Sequence, residues 1–462
     1  MLHDARGLPL STDSPEVVTL FDETIARYLE YRLSTMETLK ALLAIDGDFV
    51  MGRCLQGYLF SLLATNRMQT RIEDALHAAE AHVGNVTRRE ALHVQALRAW
   101  SQGDLESANR HWESIIAADP CDVLALRLLH FNAFWMGRAF LLRDASARVM
   151  PAWEESMPGY GSVLGMYSFG LEECGDYASA ERFGRRAVEL NKDDLWAIHA
   201  VAHTLEMQGR LREGSEWLDY PHDAWDDRNP FKGHLRWHRA LFSLEAGRYD
   251  EVIELYDKSV RPELSEFYLD IQNATSLLMR LQIAGADVGS RWRELAEYAH
   301  AHLDDHVLAF NEMHSMLALA AESHASAGKL IDSLRRFAKT PDNYAASVTA
   351  STVIPLCEAV MAYHQGEYDK VVEILDLLRY RMEGVGGSHA QRDIFVQLLI
   401  EAALRSGDPV RGTALLRERV TNKPNSVMTW EKYAQSLEAA GDADGAVAAR
   451  TQANAVASAY LQ

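Results

Sequence analysis

The chain has 462 residues, of which 48% are hydrophobic and 24% charged, a composition typical of folded globular proteins rather than of disordered chains. Its formal net charge of −20 opposes binding to nucleic acid or to an anionic membrane, because both rely on clustered Lys and Arg. We therefore expect neither as a partner. The short basic clusters Arg335–Arg336 and Arg417/Arg419 are interpreted as solvated helix faces.

Cysteine usage and the N-terminus bear on the compartment. The four cysteines lie far apart with no CxxC spacing, so neither a disulfide framework nor a thiolate zinc site is indicated. The N-terminus lacks a basic start followed by an apolar stretch, and no run approaches the ~18 apolar residues of a membrane span. We expect a cytoplasmic protein.

Residues 1–88 have helical periodicity without a recognisable turn motif, and we expect them to form an N-terminal capping region.

Beyond residue 88 a short pattern recurs, as in QGDLESA, CGDYASA and AGRYDEV: a glycine, then a polar or aromatic pair, then a small or branched residue. Two intervals between its glycines, 175–209 and 407–441, are 34 residues long, the tetratricopeptide period. The glycines are Gly103, Gly175, Gly209, Gly247, Gly328, Gly366, Gly407 and Gly441.

A glycine suits this position because the first helix of each pair must end and the chain must turn back within a few residues. The pattern predicts an all-α fold, a tetratricopeptide-like helix-pair superhelix (alpha-alpha solenoid) with degenerate repeats and a relatively compact shape. We expect an N-terminal cap, repeats, bracing helices without the turn motif, and C-terminal repeats, over residues 1–88, 89–260, 261–310 and 311–462.

Two histidine pairs are the most informative local feature. In WAIHAVAHTLEM, His199, His203 and Glu206 project from one face of one helix, at repeat positions that line the concave surface of such arrays. In HLRWHRAL, His234 and His238 have the same spacing on the next first helix. Because neighbouring first helices pack side by side, the two pairs are expected to face one another.

Three interpretations of these four histidines remain open. They could bind a divalent first-row metal such as Zn, since His at i and i+4 can chelate one ion. They could form a metal-free acid/base or anion-binding pocket, since His titrates near neutrality. They could also be core histidines that simply hydrogen-bond a carbonyl or a carboxylate. No HExxH motif supports a metalloprotease.

Weaker candidates follow along the chain. His302 and His306 are interpreted as solvated, whereas His314 could point into the same concavity. In GVGGSHAQRD a glycine loop precedes a helix expected to begin near Gln391, an arrangement that can hold an anion, although a plain inter-repeat loop is favoured. The residues that could reach a ligand there are Gln391, Arg392 and Asp393. Aromatic residues at helical spacing are interpreted as core, namely Trp196, Trp237 and Tyr167.

Several stretches, taken in order, resemble the tetratricopeptide repeat protein 38 family. They include DARGLPLSTDSPEVVTLFDETIARYLEY, FVMG, TRREALHVQAL, MYSFGLEE, WAIHAVAHTLEM, HLRWHRAL and GGSHAQRDIFVQLLIEAAL, and they run from near residue 4 to about 405. The resemblance implies a helical-repeat fold in a soluble protein. It implies no reaction, so no catalytic residue follows from it.

The function favoured by the sequence is binding of a peptide, a partner protein or a small molecule in the concave His/Glu-lined face. The alternative is a metal-dependent or His acid/base enzyme that acts on a small molecule in that pocket. Peptide-binding solenoids typically line their groove with Lys, Arg and Asn, whereas this chain places His and Glu there, which favours a compact pocket over a C-terminal-peptide clamp.

Overall fold

The computed structural model describes residues 1–461, with side-chain environments through Tyr460. Within these residues the chain is almost entirely helical, which confirms the predicted fold class. The first half comprises β1 (Leu2–His3), β2 (Pro9–Leu10), α1 (Pro15–Leu29), α2 (Thr35–Ile45), α3 (Val50–Ser61), α4 (Gln69–Glu80), α5 (Arg88–Ser101), α6 (Leu105–Ala118), α7 (Val123–Trp135), α8 (Ala139–Val149), α9 (Tyr160–Glu173), α10 (Tyr177–Leu190), α11 (Leu195–Met207), α12 (Leu211–Trp217), α13 (Phe231–Glu245) and α14 (Tyr249–Leu255).

The second half contains eleven further helices. They are α15 (Tyr268–Ile283), α16 (Trp292–Ala301), α17 (Ala309–Ala321), α18 (Ser326–Phe337), α19 (Tyr344–Val348), α20 (Ile354–His364), α21 (Tyr368–Leu378), α22 (His389–Arg405), α23 (Pro409–Asn422), α24 (Val427–Ala439) and α25 (Ala443–Leu461). Short 3₁₀ segments lie at Asn66–Met68, Val83–Asn85, Met150–Ala152 and Met382–Val385, and π-helical segments at Tyr256–Val260 and Thr349–Val353.

The Gly-Asp step of the repeat pattern has a direct structural role. Gly103 adopts a left-handed φ of 77° and ends one helix, and Asp104 then caps the next helix by accepting a hydrogen bond from the Ser107 backbone N–H at 3.0 Å. The same arrangement recurs at Gly175, where Asp176 caps α10. The sequence pattern therefore marks the end of one helix and the start of its partner.

Six of the eight predicted turn glycines have left-handed φ values, and two do not. Gly328 lies inside α18, because the chain has already turned at Ser323, whose φ is 50°. Gly407 lies in the turn before α23 without a left-handed φ. For these two positions the predicted role of glycine is wrong, since neither backbone conformation requires one.

The first helices of successive pairs lie side by side in the middle of the molecule. α11 packs against α9 on one side and α13 on the other, and α13 packs against α15. Gly165 in α9 permits a close approach, because a Cβ at that position would lie only 3.2 Å from the Ala197 Cβ in α11. This packing brings the buried faces of α9, α11 and α13 together.

The superhelix closes on itself. α22 packs against α15 and α11, and its N-terminal turn receives a hydrogen bond of 2.7 Å from the Arg280 guanidinium to the Ala390 carbonyl. At the C-terminal end of the array, α25 contacts α12 of the middle of the chain, and the Ser215 and Tyr460 hydroxyls lie 2.9 Å apart. As a result, the concave face expected from the sequence is the interior of the molecule.

One helical stretch, Tyr344–His364, is long and apolar enough to cross a membrane, with a mean hydropathy of 1.5. Of its most apolar window, 61% is buried within the protein, as in a core helix, so the finding is weak evidence for a membrane span. The expectation that no stretch approaches this composition is nevertheless too strong. Ala, Val, Ile and Leu raise the average hydropathy here, although Ser and Thr between them prevent an unbroken apolar run.

Candidate metal centre and adjoining cavity

His199, His203, His234 and His238 lie together in the core, and we call them the four-histidine cluster. α11 carries the first two, and the adjacent α13 carries the others. One nitrogen from each ring lies within 4.8 Å of those of the other three. Because metal–nitrogen bonds are about 2.0–2.1 Å, two nitrogens lie about 3.4 Å apart on a tetrahedral ion and about 4 Å apart on opposite sides of a six-coordinate ion. The structure therefore brings all four rings to nearly the separation that one ion needs.

The four-histidine cluster is buried rather than displayed on an open surface. The exposed fraction of each histidine is between 0% and 3%. The closed superhelix covers them, so the concave face on which we expected these side chains is an interior surface. Their placement on one buried level follows from the i, i+4 spacing on two neighbouring helices.

Hydrogen bonds fix the orientation of two of the rings. Nδ1 of His234 lies 2.8 Å from the Asn273 side-chain oxygen, and Nδ1 of His238 lies 2.8 Å from a Glu206 carboxylate oxygen. Each Nδ1–H donates to its oxygen, which leaves Nε2 as the nitrogen with a free lone pair. Acceptors placed behind Nδ1 in this way are typical of histidine metal ligands.

The remaining ring nitrogens have no hydrogen-bond partner in the protein. Both nitrogens of His199 and of His203 are unpartnered, as is Nε2 of His238. Buried polar atoms are normally hydrogen-bonded, so five such nitrogens at one place are exceptional. The interpretation of these side chains as satisfied core histidines is therefore not supported by the hydrogen bonds of the described residues.

Burial keeps three of these rings neutral. It lowers the pKa of His199, His203 and His234 well below the usual range, and the neighbouring imidazoles lower each pKa further. Since a metal binds the neutral imidazole, the cluster is held in the form that coordinates metal.

Glu172 is a component of the site that the sequence interpretation missed. Its carboxylate is fully buried, has no hydrogen-bond partner, and lies 3.7 Å from Nδ1 of His203. Burial raises the pKa of Glu172 well above its usual range, and the nearby carboxylates of Glu173 and Glu206 raise it further. Glu172 therefore lies beside Nδ1 of His203, but farther away than Glu206 lies from His238 and without a hydrogen bond.

The signal for Glu172 is present in the sequence. In MYSFGLEE the residue follows Phe169 by three positions and Gly165 by seven, so it lies on the face of α9 that packs in the core. A carboxylate on the apolar face of a core helix indicates a function or a buried partner. The adjacent Glu173 faces α22, where one of its oxygens accepts a hydrogen bond from the His389 backbone N–H at 3.2 Å.

The other predicted site residues do not join the four-histidine cluster. His314 is buried away from the cluster, and its Nδ1–H donates to the Phe310 carbonyl at 2.8 Å. Asp393 forms a two-point ion pair with Arg419 at 2.7 and 2.8 Å and does not face the cluster. Of the three candidates in the glycine loop and its helix, only Gln391 lines the cavity beside the four-histidine cluster.

The glycine loop is a packing element. α22 begins at His389, two residues before the predicted start, with Ser388 as its N-cap. A Cβ at Gly387 would lie 2.8 Å from the Phe310 ring, so the loop requires glycine in order to approach α17. The Glu173 carboxylate occupies the helix N-terminus, and Arg392 Nη2 lies 3.9 Å from it. The anion at this helix start is thus one of the protein's own side chains.

A cavity of about 440 Å³ adjoins the four-histidine cluster, and we call it the aromatic cavity. His199 and His234 form part of its wall, which is otherwise mainly aromatic and aliphatic. Its other polar wall residues include Arg127 and His130. The further lining residues are Tyr28, Tyr31, Arg32, Leu33, Thr35, Met36, Leu59, Phe60, Leu62, Leu63, Arg71, Phe131, Phe134, Trp135, Trp196, Asn229, Phe231, Phe267, Tyr268, Leu269 and Gln391.

A larger groove of about 900 Å³ lies elsewhere, beside α22, α23 and α24. Two of its charged residues, Lys432 and Glu401, pair with each other. Lys432 also donates to the Ile283 carbonyl at 2.8 Å. Because these polar groups already have partners, the groove is a weaker candidate for a ligand site than the aromatic cavity.

Two surface interpretations are corrected by the structure. His306 is buried, with its ring nitrogens 3.0 Å from Glu312 and 2.9 Å from Ser333. Arg419 is buried by its pairing with Asp393, whereas Arg335 and Arg336 are exposed as expected. Sequence spacing alone does not show which charged residues of a helix meet a partner from a distant helix.

The interpretation of the aromatic residues as core holds for Trp237, and it holds for Trp196 except where its ring faces the aromatic cavity.

No family profile matches the chain. Among solved structures, a human IFIT1 dimer with PPP-AAAA aligns at 14% identity over 97% of this chain and 96% of that chain, with a TM-score of 0.39. The P58(IPK) TPR domain aligns at 12% identity over 79% of this chain and 92% of that chain, with a TM-score of 0.23. Both are helical-repeat proteins, and similarity at this level carries no conclusion about a ligand.

Proposed function

We propose that this protein is a metal-dependent small-molecule-binding protein in which the four-histidine cluster holds one divalent first-row metal at the inner wall of the aromatic cavity. The observation that carries the proposal is the convergence of four buried imidazoles whose free nitrogens lie within 4.8 Å of one another. Glu206 and Asn273 support it, because they fix the tautomers of two rings.

Energetics favour a bound ion over an unliganded cluster. Each buried polar atom without a partner costs about 1–3 kcal/mol, and the cluster contains five such nitrogens. One ion would accept lone pairs from all four rings at once. A fully protonated cluster is not an alternative, because burial lowers the pKa of three of its members well below neutrality.

The ligand set also bears on the choice of metal. Four imidazoles complete a tetrahedral zinc site, which leaves no position for a small molecule. Ions such as Fe, Co or Ni accept five or six ligands, so they would leave positions open beside His199 and His234, which line the cavity. We therefore propose a metal with more than four ligands, with zinc as the closed, structural alternative.

The direct test is elemental analysis of protein purified without a histidine tag. We expect about one metal per chain, and we expect His203→Ala to lose it while the helical circular-dichroism signal remains. His314→Leu is the matched control, because His314 is equally buried but lies outside the cluster. Wild-type protein that stays free of metal after incubation with Fe, Co, Ni and Zn would contradict the proposal.

Catalysis on a small molecule is the second candidate function. It is favoured by His130, which lines the aromatic cavity and has no hydrogen-bond partner on either ring nitrogen. Burial lowers the pKa of His130 well below its usual range, so the ring is neutral and presents one N–H and one nitrogen lone pair to a ligand in the cavity. Hydrolysis of aryl esters that is lost in both His130→Phe and His203→Ala would support this role, and equal rates in all three proteins would exclude it.

The negative net charge supports a further proposal, that nucleic acid is not a ligand. The aromatic cavity, at about 440 Å³, has the volume of a small-molecule site. Fluorescence anisotropy with single-stranded RNA and DNA at physiological salt should show no binding below micromolar concentrations. A salt-sensitive submicromolar signal would overturn this proposal.

We also propose membership of the tetratricopeptide repeat protein 38 family and a cytoplasmic location. Two of the stretches that carry the resemblance, WAIHAVAHTLEM and HLRWHRAL, contain the four-histidine cluster. Loss of these histidines in sequences that otherwise align with the chain would count against a shared site. The four cysteines are free, which is consistent with a reducing compartment, and cell fractionation tests it.

A further inference from the structure

Arg127 is a buried cation that faces the aromatic cavity. Arg127 is 7% exposed, and its guanidinium carbon lies 4.4 Å from the centre of the Trp196 ring. The guanidinium donates a hydrogen bond to the Tyr31 hydroxyl. Among residues 1–461, no carboxylate lies within 4.0 Å of it. The buried Asp194 carboxylate acts on the guanidinium only from beyond that distance, so the cation has aromatic contacts but no ion-paired carboxylate.

Aromatic contacts and the more distant Asp194 carboxylate leave this charge without a direct ion-pair partner. A desolvated cation–π contact contributes about 2 kcal/mol, whereas removing an ion from water costs several kcal/mol even after relaxation. Guanidinium groups pair best with planar anions, because two parallel N–H groups match the two oxygens of a carboxylate. The inner part of the aromatic cavity is thus suited to a carboxylate.

Two further polar groups lie beside Arg127 and have no partner. His130 is 2% exposed with both ring nitrogens free, and its ring centre lies 5.4 Å from that of Trp196. The Trp196 indole N–H is also buried without an acceptor. A carboxylate has four lone pairs, so it can accept from these groups as well as from the guanidinium. All three residues line the same cavity.

The remainder of the wall is suited to an aromatic body. Phe131, Phe134, Trp135, Phe231 and Tyr268 present rings to the cavity, which at about 440 Å³ has the size of a small-molecule site. Aromatic ligands pack favourably against such rings in edge-to-face or offset arrangements.

The entrance also favours an anion. Leu33 and Leu63 line the cavity while being 60% and 42% exposed, which places them at its mouth. Arg71 is exposed at the same mouth, with its guanidinium 5.7 Å from the centre of the Phe60 ring. A cation at the entrance raises the local concentration of anionic ligands in a protein whose overall charge is negative.

We propose that the aromatic cavity binds a small aromatic carboxylate, with its ring system among the aromatic side chains and its carboxylate paired with Arg127. The ligand would lie beside the four-histidine cluster, so the inference names the ligand class of the site proposed above and rests on that proposal for the neighbouring metal. The pairing with Arg127 itself requires no metal.

The test compares aromatic acids with their neutral amides by isothermal titration calorimetry at physiological salt. The probes are benzoate, 2-naphthoate and biphenyl-4-carboxylate, each against the carboxamide of the same ring system. We expect at least one acid to bind wild-type protein ten or more times more tightly than its amide. If no acid in the panel binds more tightly than its amide, the proposal is overturned, and this comparison needs no variant.

Two variants locate the charge that recognises the acid. Arg127→Gln should abolish the preference for the acid, whereas Arg71→Gln, which removes an arginine from the mouth, should largely retain it. A preference that survives Arg127→Gln, or that disappears equally in both variants, contradicts pairing at Arg127. Circular dichroism confirms that each variant is folded.

Metal content separates this inference from the proposed function. Measurements on chelated protein should show the same preference for the acid, since Arg127 supplies it. Loss of the preference on chelation would assign the carboxylate to the metal and overturn the inference. Protein that never takes up metal but still prefers the acid would refute the metal proposal and leave the carboxylate site standing.

Discussion

At the scale of single residues, the unusual chemistry of this protein is concentrated in one region. Elsewhere most unpartnered buried polar atoms are scattered singly, as at Asn109 and Thr349, and Asp122 accepts a hydrogen bond from Arg89 and lies 3.1 Å from His93. Around the four-histidine cluster, by contrast, unpartnered nitrogens and the unpartnered Glu172 carboxylate occur together. Such groups are costly, so their concentration indicates a ligand site rather than packing.

Glu206 gives a prediction for this region. Its carboxylate accepts from Nδ1 of His238 at 2.8 Å, so Glu206→Ala should release that ring and lower metal affinity about 10–100-fold. Competition with a fluorescent metal chelator measures the change, and full stoichiometry should return with excess metal. Glu106→Ala, which removes an exposed carboxylate paired with Arg138, is the control and should have no effect. Unchanged affinity in Glu206→Ala would mean that Glu206 does not act on the metal.

At the scale of helices, the four-histidine cluster depends on how closely a short helix, α12, packs against α13, which carries two of the histidines. Gly214 in α12 lies directly over Phe242 in α13, where a Cβ would come within 2.1 Å of the ring. Phe242 is fully buried on the helix that also carries His234 and His238. The position of α13 therefore depends on a residue with no side chain in the neighbouring helix.

Two glycine substitutions should act in opposite directions. Gly214→Ala should lower the free energy of unfolding by about 1–3 kcal/mol, because the buried ring has no room to move. Gly328→Ala should raise it by about 0.5–1 kcal/mol, because the residue is helical and nothing lies within 4 Å of the added methyl group. Urea denaturation measures both. Destabilisation by Gly328→Ala would instead support its predicted role as a turn residue.

At the scale of the whole molecule, the closed superhelix determines shape and burial. Contacts between α12 and α25 and between α11 and α22 join parts of the chain that are more than 180 residues apart. A compact protein of 462 residues has a radius of gyration of about 23 Å. Small-angle scattering should give a value near this one, and a clearly larger value with a rod-like profile would show that the array opens in solution.

Closure also predicts acid sensitivity, because it buries neutral histidines. Burial lowers the pKa of His314 from 6.5 to about 4, so the unfolded chain binds the proton more readily than the folded one. The stability from this group is complete above pH 6.5 and is lost as the pH falls towards 4. Between pH 7 and pH 5 the protonation of His314 in the unfolded chain should lower the free energy of unfolding by about 2 kcal/mol.

His314→Leu isolates this contribution. Denaturation of the metal-free variant should show a shallower loss of stability between pH 7 and 5 than wild-type protein, because the leucine cannot take up a proton. Parallel profiles for the two proteins would show that His314 is protonated equally in the folded and unfolded chains. The neighbouring charged group, Arg280, stays protonated throughout this range and does not contribute to the slope.

Local features of the sequence determined the fold class and the pairing of the histidines. Helical periodicity and the recurring glycine pattern are properties of residues close together in the chain, so they predicted the helices and six of the turn glycines. The i, i+4 spacing of His199 with His203 and of His234 with His238 placed each pair on one helix face for the same reason.

Only the tertiary structure decided which groups meet across the superhelix. Glu172 comes from α9, Asn273 from α15 and Arg127 from α7, and no local pattern relates them to the histidines of α11 and α13. The same limitation misplaced Asp393, His306 and Arg419, whose partners lie on other helices. Burial and charge pairing depend on how the array curves and closes, which is set by the summed packing of all its helices rather than by any single segment.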